Sequence, residues 1–288
     1  MSKITQRCYE ATGRPAFICD FSPPRSGDPE AVQQADIDAD FISAAYNPGR
    51  AVRASAPLLA AAIKQRVGKD VVFTLGTRDM NQLALQSLLL GAQMLGLENV
   101  IVVQGDPFSQ SDLALVQPVA GYRPTQLIAA IARMNQGVDF RDTSLRSPTD
   151  FCTGATLDLG RGVQREAELA RRKAAAGAQF FITQPIFDPA EASRFQEAYI
   201  QAAGEPPGVP IFYGLQVLER DGVIFSTVPR PVREELEGGR SGVDIALELY
   251  RRFQQGGLHN VYLVPPIRRG GARNYAAARE VLALARSP

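Results

Sequence analysis

Several polar side chains stand inside or directly after short apolar runs of this 288-residue chain. Asp20 interrupts the run at residues 17–21, and Gly105 with Asp106 closes another run further along. A carboxylate in apolar surroundings is costly unless it has partners or carries chemistry, and a glycine lets the backbone approach a ligand closely. Asp20 and Asp106 are therefore candidates for acid–base chemistry.

Two more polar groups follow apolar runs, namely Thr77-Arg78-Asp79 and Thr183-Gln184. The amide of Gln184 suits hydrogen bonding to the edge of a heterocycle. Each candidate also has a structural alternative. Asp20 could cap backbone amides, and Asp106 could be a loop residue before Pro107. Arg78-Asp79 could be a local ion pair in which Asp79 caps the next helix, and Gln184 could satisfy buried backbone groups.

Cysteine and histidine are scarce. The cysteines are Cys8, Cys19 and Cys152, and the one histidine is His259. A structural zinc needs about four ligands, usually with two close in sequence, and the chain contains no CxxC pair. We therefore predict neither a metal site nor a disulfide framework, and a histidine-based catalytic triad would have to use His259.

Strand-like and helix-like segments alternate along the chain. Short apolar runs bounded by turn residues indicate buried parallel strands at residues 17–21, 40–46, 70–77, 99–105, 151–156, 179–184, 209–215 and 260–264. Helical spacing of apolar residues marks residues 51–67, 81–95, 124–134, 163–176, 189–203, 243–253 and 272–285, with a weak first helix at 29–35.

Eight strand–helix units in one chain of this length predict an α/β fold, a (β/α)8 TIM barrel formed by a single domain over residues 1–288. The alternative is a doubly wound open sheet, but no GxGxxG follows the first strand. In a barrel the carboxyl ends of the strands form one face, and side chains at those ends project into the ligand site. The irregular stretch at residues 216–242 follows the seventh strand on that face, where a long loop is usually functional.

The composition excludes several classes of protein. A net charge of +1, without a run of basic residues, argues against a nucleic-acid-binding surface. No apolar stretch reaches the ~18 residues of a membrane span, and the first residues lack the apolar core of a signal peptide. We therefore expect a cytoplasmic protein that does not bind membranes, and the sequence leaves open whether it forms a homo-oligomer.

Three segments together resemble the methylenetetrahydrofolate reductase family. Residues 77–107 (TRDMNQLALQSLLLGAQMLGLENVIVVQGDP) are similar to the family's TRDxN turn, ALQSxLLGAxxLG helix and GDP strand end. Residues 176–188 match AGAxFxxTQPxFD, and residues 21–25 resemble the Pro-Pro end of the family's first strand. Val228-Pro229 with Val232 resembles a helix start near the end of the family domain.

This resemblance implies a barrel that holds FAD without a covalent bond. NAD(P)H would reduce the flavin, which would then pass a hydride to 5,10-methylenetetrahydrofolate and give 5-methyltetrahydrofolate for one-carbon metabolism and methionine biosynthesis. Such a reaction needs positioning and a proton donor but no metal. The sequence does not choose between NADH and NADPH.

The resemblance also assigns roles to individual residues. Asp20 takes the position of the family's catalytic acid, which helps to open the imidazolidine ring. Asp106 takes the position of an aspartate between flavin and pterin, with both a catalytic and a binding role. Gln184 takes the position of a folate-binding glutamine. The positions that hold FAD are Thr77, Arg78, Gly105, Asp106, Tyr122 and Lys173.

Asp20 differs from the family, which has Glu at this position. The shorter side chain withdraws the carboxyl by roughly 1.5 Å, and a displacement of ~1 Å can cost on the order of a hundredfold in rate. Three hypotheses follow: an FAD-dependent reductase, a flavin-free reductase that transfers hydride directly from NAD(P)H to the folate, and a folate-binding barrel without catalysis. A phosphate-binding lyase or aldolase using Gly270-Gly271 ranks last, since no predicted strand carries a lysine.

Overall fold

Eight parallel strands form a closed barrel in the computed structural model, which describes residues 2–10, 14–119, 121–224, 227–269 and 271–287. Each strand pairs with the next one in the chain, and β8 pairs with β1. The strands are β1 (Ala16–Phe21), β2 (Phe41–Ala44), β3 (Val71–Gly76), β4 (Asn99–Val103), β5 (Cys152–Leu157), β6 (Phe180–Pro185), β7 (Ile211–Gln216) and β8 (Asn260–Val264). The predicted (β/α)8 barrel is confirmed, and the open-sheet alternative is wrong because the sheet closes.

Helices surround the barrel and connect its strands. They are α1 (Ile4–Glu10), α2 (Ala56–Val67), α3 (Gln82–Met94), α4 (Gln110–Leu113), α5 (Pro124–Met134), α6 (Val163–Ala175), α7 (Pro189–Ala203), α8 (Arg230–Glu237), α9 (Gly242–Gln255) and α10 (Tyr275–Arg286). The weak first helix predicted at Pro29–Ala35 is a 3-10 helix. No described helix is both long and apolar enough to cross a membrane.

Apolar periodicity predicts none of three helices because their apolar faces are small, although the family resemblance indicated the start of α8 at Val228-Pro229. Helix α1 buries Ile4, and α8 buries Leu236. Helix α4 spans four residues and buries none of them. Helical periodicity is a reliable signal only when several turns repeat an apolar face.

The second strand is shorter than predicted because the polar residues at its ends have other roles. The Asp40 carboxylate accepts a hydrogen bond from the backbone N–H of Phe17 at 2.8 Å, which ties the starts of β1 and β2 together. At the other end, the Tyr46 phenol donates to Asp79 at 2.7 Å. Both residues therefore flank the strand that contains Phe41–Ala44.

The strands are buried on both faces, which explains why they read as continuous apolar runs. Inward-facing residues of all eight strands fill the barrel, among them Ile18, Phe41, Val72, Ile101, Phe180 and Phe212, while the outward faces pack against the helices. At the amino end, helix α1 covers the barrel. Asn99 anchors it by accepting from the backbone N–H of Ile4 at 3.0 Å and donating to the carbonyl of Ser2. The carboxyl end is left for polar chemistry.

Gly154 shows how tightly this interior is filled. A Cβ on Gly154 would lie 2.2 Å from Cζ of Phe180, which occupies the space beside β5. We predict that Gly154→Ala destabilises the protein by about 1–3 kcal/mol through overpacking, measured as a lower midpoint of urea unfolding. Gly208→Ala is the matched control, because a Cβ there has no heavy atom within 4 Å. Equal midpoints for the two variants would contradict this description of the core.

Candidate functional site

Asp20 lies inside the carboxyl end of the barrel, on β1, with 5% of its surface exposed. The Tyr262 phenol of β8 donates a hydrogen bond to Oδ1 at 2.9 Å. The Arg273 guanidinium donates to Oδ2 through Nε at 3.2 Å and through Nη2 at 3.0 Å. The interpretation of Asp20 as a cap of backbone amides is thus replaced by a carboxylate held between two side chains from elsewhere in the chain.

This arrangement is a nearly dry ion pair. The side chains of Arg273 and Asp20 are 4% and 8% exposed. Buried charges of this kind are tolerated only when each has its partner. Asp20 is therefore tied to the loop after β8, and a ligand that approaches its carboxylate has to displace Arg273.

Tyr262 is a hydrogen-bond donor beside this carboxylate. Burial, followed by the charge of Asp20 and the hydrogen bond to it, raises the pKa of Tyr262 well above its usual value. The charge of Arg273 opposes that shift but is the weaker effect. Tyr262 therefore keeps its proton.

Tyr275 holds the start of α10 against β1. Burial and the charge of Asp20 raise the pKa of Tyr275. Its hydroxyl accepts a hydrogen bond from the backbone N–H of Ser22 at 3.0 Å. Its ring stacks on Phe21 with the ring centres 4.9 Å apart, so the wall next to Asp20 is fixed by both contacts.

The loops after β7 and β8 meet over this end of the barrel. Val223 donates its N–H to the carbonyl of Ile267 at 2.7 Å, and Ile267 forms isolated antiparallel bridges with both Val223 and Arg273. Gln216, the last residue of β7, donates to the Val223 carbonyl at 3.0 Å. The stretch at residues 216–242 thus contributes part of the cover over the site, and Gly270 lies outside the described residues.

Arg78 joins the turns after β3 and β4. It forms two hydrogen bonds with Asp79, at 2.6 and 2.7 Å, and its Nη1 donates to the carbonyl of Asp106 at 2.5 Å. Its guanidinium also lies 4.1 Å from the ring centre of Phe108. Hydrogen bonding by Arg78 is the main reason that the pKa of Asp79 lies below its usual range. The predicted local ion pair is confirmed, but the cap of α3 is Asn81, whose side chain accepts from the N–H of Ala84 at 2.9 Å.

The structure brings four of the predicted residues together at this edge. Thr77 is buried and donates its N–H to the carbonyl of Val103 at 3.1 Å. Gly105 has φ of 89°, and a Cβ there would contact Cβ of Arg78 at 3.4 Å, so both the backbone and the neighbour favour glycine. Asp106 is exposed. Beside them lies a cavity of about 430 Å³, lined by Asn47, Arg50, Ala51, Val52, Arg78, Asp79, Phe108, Val116 and Gln117.

Tyr122 and Lys173 make contacts in the layer between helices and strands. The Tyr122 hydroxyl accepts a hydrogen bond from Gln86 of α3 at 3.1 Å. Lys173, on α6, is 6% exposed and donates to the carbonyl of Thr156. Burial lowers the pKa of Lys173, and nearby Glu166 opposes that shift. Both side chains have partners within the fold.

Gln184 lies at an irregularity in β6, where the register with β7 shifts between Ile182 and Pro185. The backbone there is satisfied by Thr183, whose hydroxyl accepts from the N–H of Gly214 at 2.9 Å and donates to the carbonyl of Gln184 at 2.8 Å. The Gln184 side chain is exposed and accessible to a ligand.

Sequence reasoning missed Tyr262 and Arg273. Tyr262 had a detectable signal, since the alternation within β8 places it on the same face as the inward residues of the other strands. Arg273 had no such sequence signal, because it lies in an irregular segment whose path depends on bridges to Ile267.

The Asp20–Arg273 pair yields a stability prediction. Arg273→Met leaves a buried carboxylate without its cation, and we expect a loss of about 3–5 kcal/mol in the free energy of unfolding. Adding Asp20→Leu to that variant removes the stranded charge and should restore most of the loss. Urea unfolding of both proteins measures the difference. If the double variant is no more stable than Arg273→Met, the ion pair is not what holds this end of the barrel.

Comparison with known proteins supports the fold and identifies a family. Residues 3–221 match the family model for methylenetetrahydrofolate reductase. No curated protein sequence matches the chain. A solved structure of an uncharacterized protein from Clostridium thermocellum, described as binding two copies of 5-methyl-5,6,7,8-tetrahydrofolic acid, superposes with a TM-score of 0.66 at 12% identity and covers 98% of both chains.

Dihydropteroate synthase from Thermus thermophilus superposes less well, with a TM-score of 0.48 at 15% identity over 94% of this chain and 93% of that one. At 12% identity the superposition on the Clostridium thermocellum protein reports on the fold alone, and the family model reports on descent. Because that model matches most of the sequence, the chain belongs to the methylenetetrahydrofolate reductase family.

Proposed function

We propose that this protein reduces 5,10-methylenetetrahydrofolate to 5-methyltetrahydrofolate with NAD(P)H as the hydride donor, and that the folate binds at Asp20. The observation that carries the proposal is the buried Asp20 carboxylate at the carboxyl end of the barrel, in a chain of this family. Catalytic groups of barrel enzymes stand at that end of the strands.

The reaction requires a hydride on the methylene carbon and one proton. The imidazolidine ring opens when its bond between the methylene carbon and N10 breaks, and N10 takes up the proton. The iminium carbon then accepts the hydride from NAD(P)H, which leaves as NAD(P)⁺. The protein has to supply the proton and align the two ligands.

In this proposal Asp20 delivers that proton to N10, and the Tyr262 phenol, which donates to Oδ1, orients its carboxyl. Because burial and the charge of Asp20 raise the pKa of Tyr262 well above its usual value, the phenol stays a hydrogen-bond donor and does not itself release the proton. Arg273 occupies the other carboxylate oxygen in the structure and has to move when the folate enters.

Three of the six residues that the resemblance assigns to FAD already have hydrogen-bond partners within the fold. Arg78 is held by Asp79 and by the carbonyl of Asp106. The Tyr122 hydroxyl is bonded to Gln86, and Lys173 is buried against the carbonyl of Thr156. Binding FAD through these side chains would break contacts that stabilise the fold. We therefore propose direct hydride transfer from NAD(P)H to the folate, the flavin-free hypothesis.

A folate-binding barrel without catalysis is the second candidate function. The observation that favours it is the closed ion pair, since Arg273 seals an acid that is already one methylene shorter than the family's glutamate. Such a protein would bind tetrahydrofolates but would not reduce methylenetetrahydrofolate.

The test combines absorption and turnover. We expect purified protein to show no flavin band between roughly 350 and 500 nm, and to oxidise NAD(P)H only when methylenetetrahydrofolate is added. A yellow protein whose flavin bleaches with NAD(P)H would instead support the FAD-dependent reductase. Folate binding without NAD(P)H oxidation would support the non-catalytic barrel.

The same assay checks the role of Asp20. Asp20→Asn should lower the turnover rate by about a hundredfold or more, the usual contribution of a general acid, while folate still binds. Asp221→Asn, an exposed aspartate, is the control and should behave as the unmodified protein. Full activity of Asp20→Asn would refute the proposed proton path.

A further inference from the structure

Gln216 carries a buried acceptor without a partner. The residue is 2% exposed, and its Nε2 donates to the carbonyl of Val223 at 3.0 Å. Its Oε1 is buried, and no hydrogen-bond partner for it exists among the described residues. The contact with a carbonyl fixes the orientation of the amide, because a flipped amide would set two oxygens against each other. The unpaired atom is therefore an acceptor.

Gln216 shares a level of the barrel with Asp20. Gln216 pairs with Val264 in the register of β7 and β8. The register of β1 and β8 ends at the Cys19–Leu263 pair, and its continuation by one residue sets Val264 beside Asp20. Neighbouring strands lie about 4.8 Å apart, so Gln216 and Asp20 stand roughly 10 Å apart along the wall.

A second unpaired polar atom lies at the same end of the barrel. The hydroxyl of Ser22 is also buried without a hydrogen-bond partner in the described part of the chain. Ser22 directly follows β1, the strand that carries Asp20. Buried polar groups are nearly always hydrogen-bonded, so polar atoms left open at this end of the barrel are places where a ligand can supply the partner.

We propose that Gln216 is a recognition residue for the pterin, and that its Oε1 accepts a hydrogen bond from an N–H of the 2-amino-4-oxo edge. This inference rests on the proposed function, because it takes the folate to be the ligand at Asp20. A planar ring with N–H donors along one edge supplies the hydrogen-bond donor that the oriented amide oxygen of Gln216 lacks. Nicotinamide carries an N–H donor too. Because Gln216 and Asp20 lie at the same height in the barrel, we assign the Gln216 side chain to the folate, the ligand on which Asp20 acts.

An acceptor kept for a ligand has a recognisable signature. It contributes little to the stability of the free protein, because it is unpaired there, yet its loss weakens binding. Gln216→Met keeps the length of the side chain and removes the acceptor. We expect the thermal midpoint of the free protein not to fall, and the affinity for 5-methyltetrahydrofolate to drop about tenfold, the effect of one hydrogen bond.

The experiment is calorimetric titration of 5-methyltetrahydrofolate, without dinucleotide, into the unmodified protein, Gln216→Met and the control Gln201→Met, which changes an exposed residue of α7. The analogue without the 2-amino group is titrated in parallel. The unmodified protein should prefer the amino form about tenfold, and Gln216→Met should lose that preference.

Three results would overturn the assignment. Unchanged folate affinity together with a lower thermal midpoint would make Gln216 a structural residue. Unchanged folate affinity with a raised KM for NAD(P)H would assign the amide to nicotinamide. If Gln216→Met does not fold, the test is whether the unmodified protein binds 5-methyltetrahydrofolate more tightly than the analogue without the 2-amino group. Equal affinity for the two compounds rejects the proposal. Absence of 5-methyltetrahydrofolate binding to the unmodified protein would instead show that the proposed function itself has failed.

Discussion

The ion pair between Asp20 and Arg273 is the interaction on which the rest of the site depends. A carboxylate inside a barrel is stable only with a cation beside it, and here the cation comes from a loop about 250 residues later in the chain. To deliver it, the loop after β8 forms bridges around Ile267, and the loop after β7 joins them through Val223. The loop that supplies the cation to Asp20 is thus also the loop that joins the cover over the carboxyl end of the barrel.

The site divides into two edges with different roles. On one edge Arg78, Asp79 and the carbonyl of Asp106 bind the turns after β3 and β4 to each other. This edge contains the segment in which the family resemblance is strongest, and its polar groups are largely paired within the fold. On the other edge, β7 and β1 carry Gln216 and Asp20 on either side of β8. Two buried polar atoms without a hydrogen-bond partner in the described part of the chain, Oε1 of Gln216 and Oγ of Ser22, belong to the ends of these strands.

Much of the fold could be predicted from the sequence. Strands buried on both faces are short apolar runs, and all eight were found from that pattern alone. The strand–helix alternation favoured a barrel over an open sheet, and the structure shows that the sheet closes. The site was less accessible. Asp20 was recognisable because a carboxylate in an apolar strand is conspicuous, whereas its partner Arg273 depends on loop geometry that no periodicity encodes. Tyr122 and Lys173 were assigned by resemblance, and in the structure Tyr122 is bonded to Gln86 of α3 and Lys173 to the carbonyl of Thr156 on β5.

The central claim is that hydride passes directly between two ligands bound near Asp20. The most direct measurement uses NAD(P)H carrying deuterium at the transferred position of its nicotinamide, with the reaction run in ordinary water and the product analysed by mass spectrometry. The expected result is that each 5-methyltetrahydrofolate carries one deuterium in its methyl group, because no intermediate carrier exchanges with solvent. Methyl groups that contain hydrogen from solvent in place of the label would contradict it.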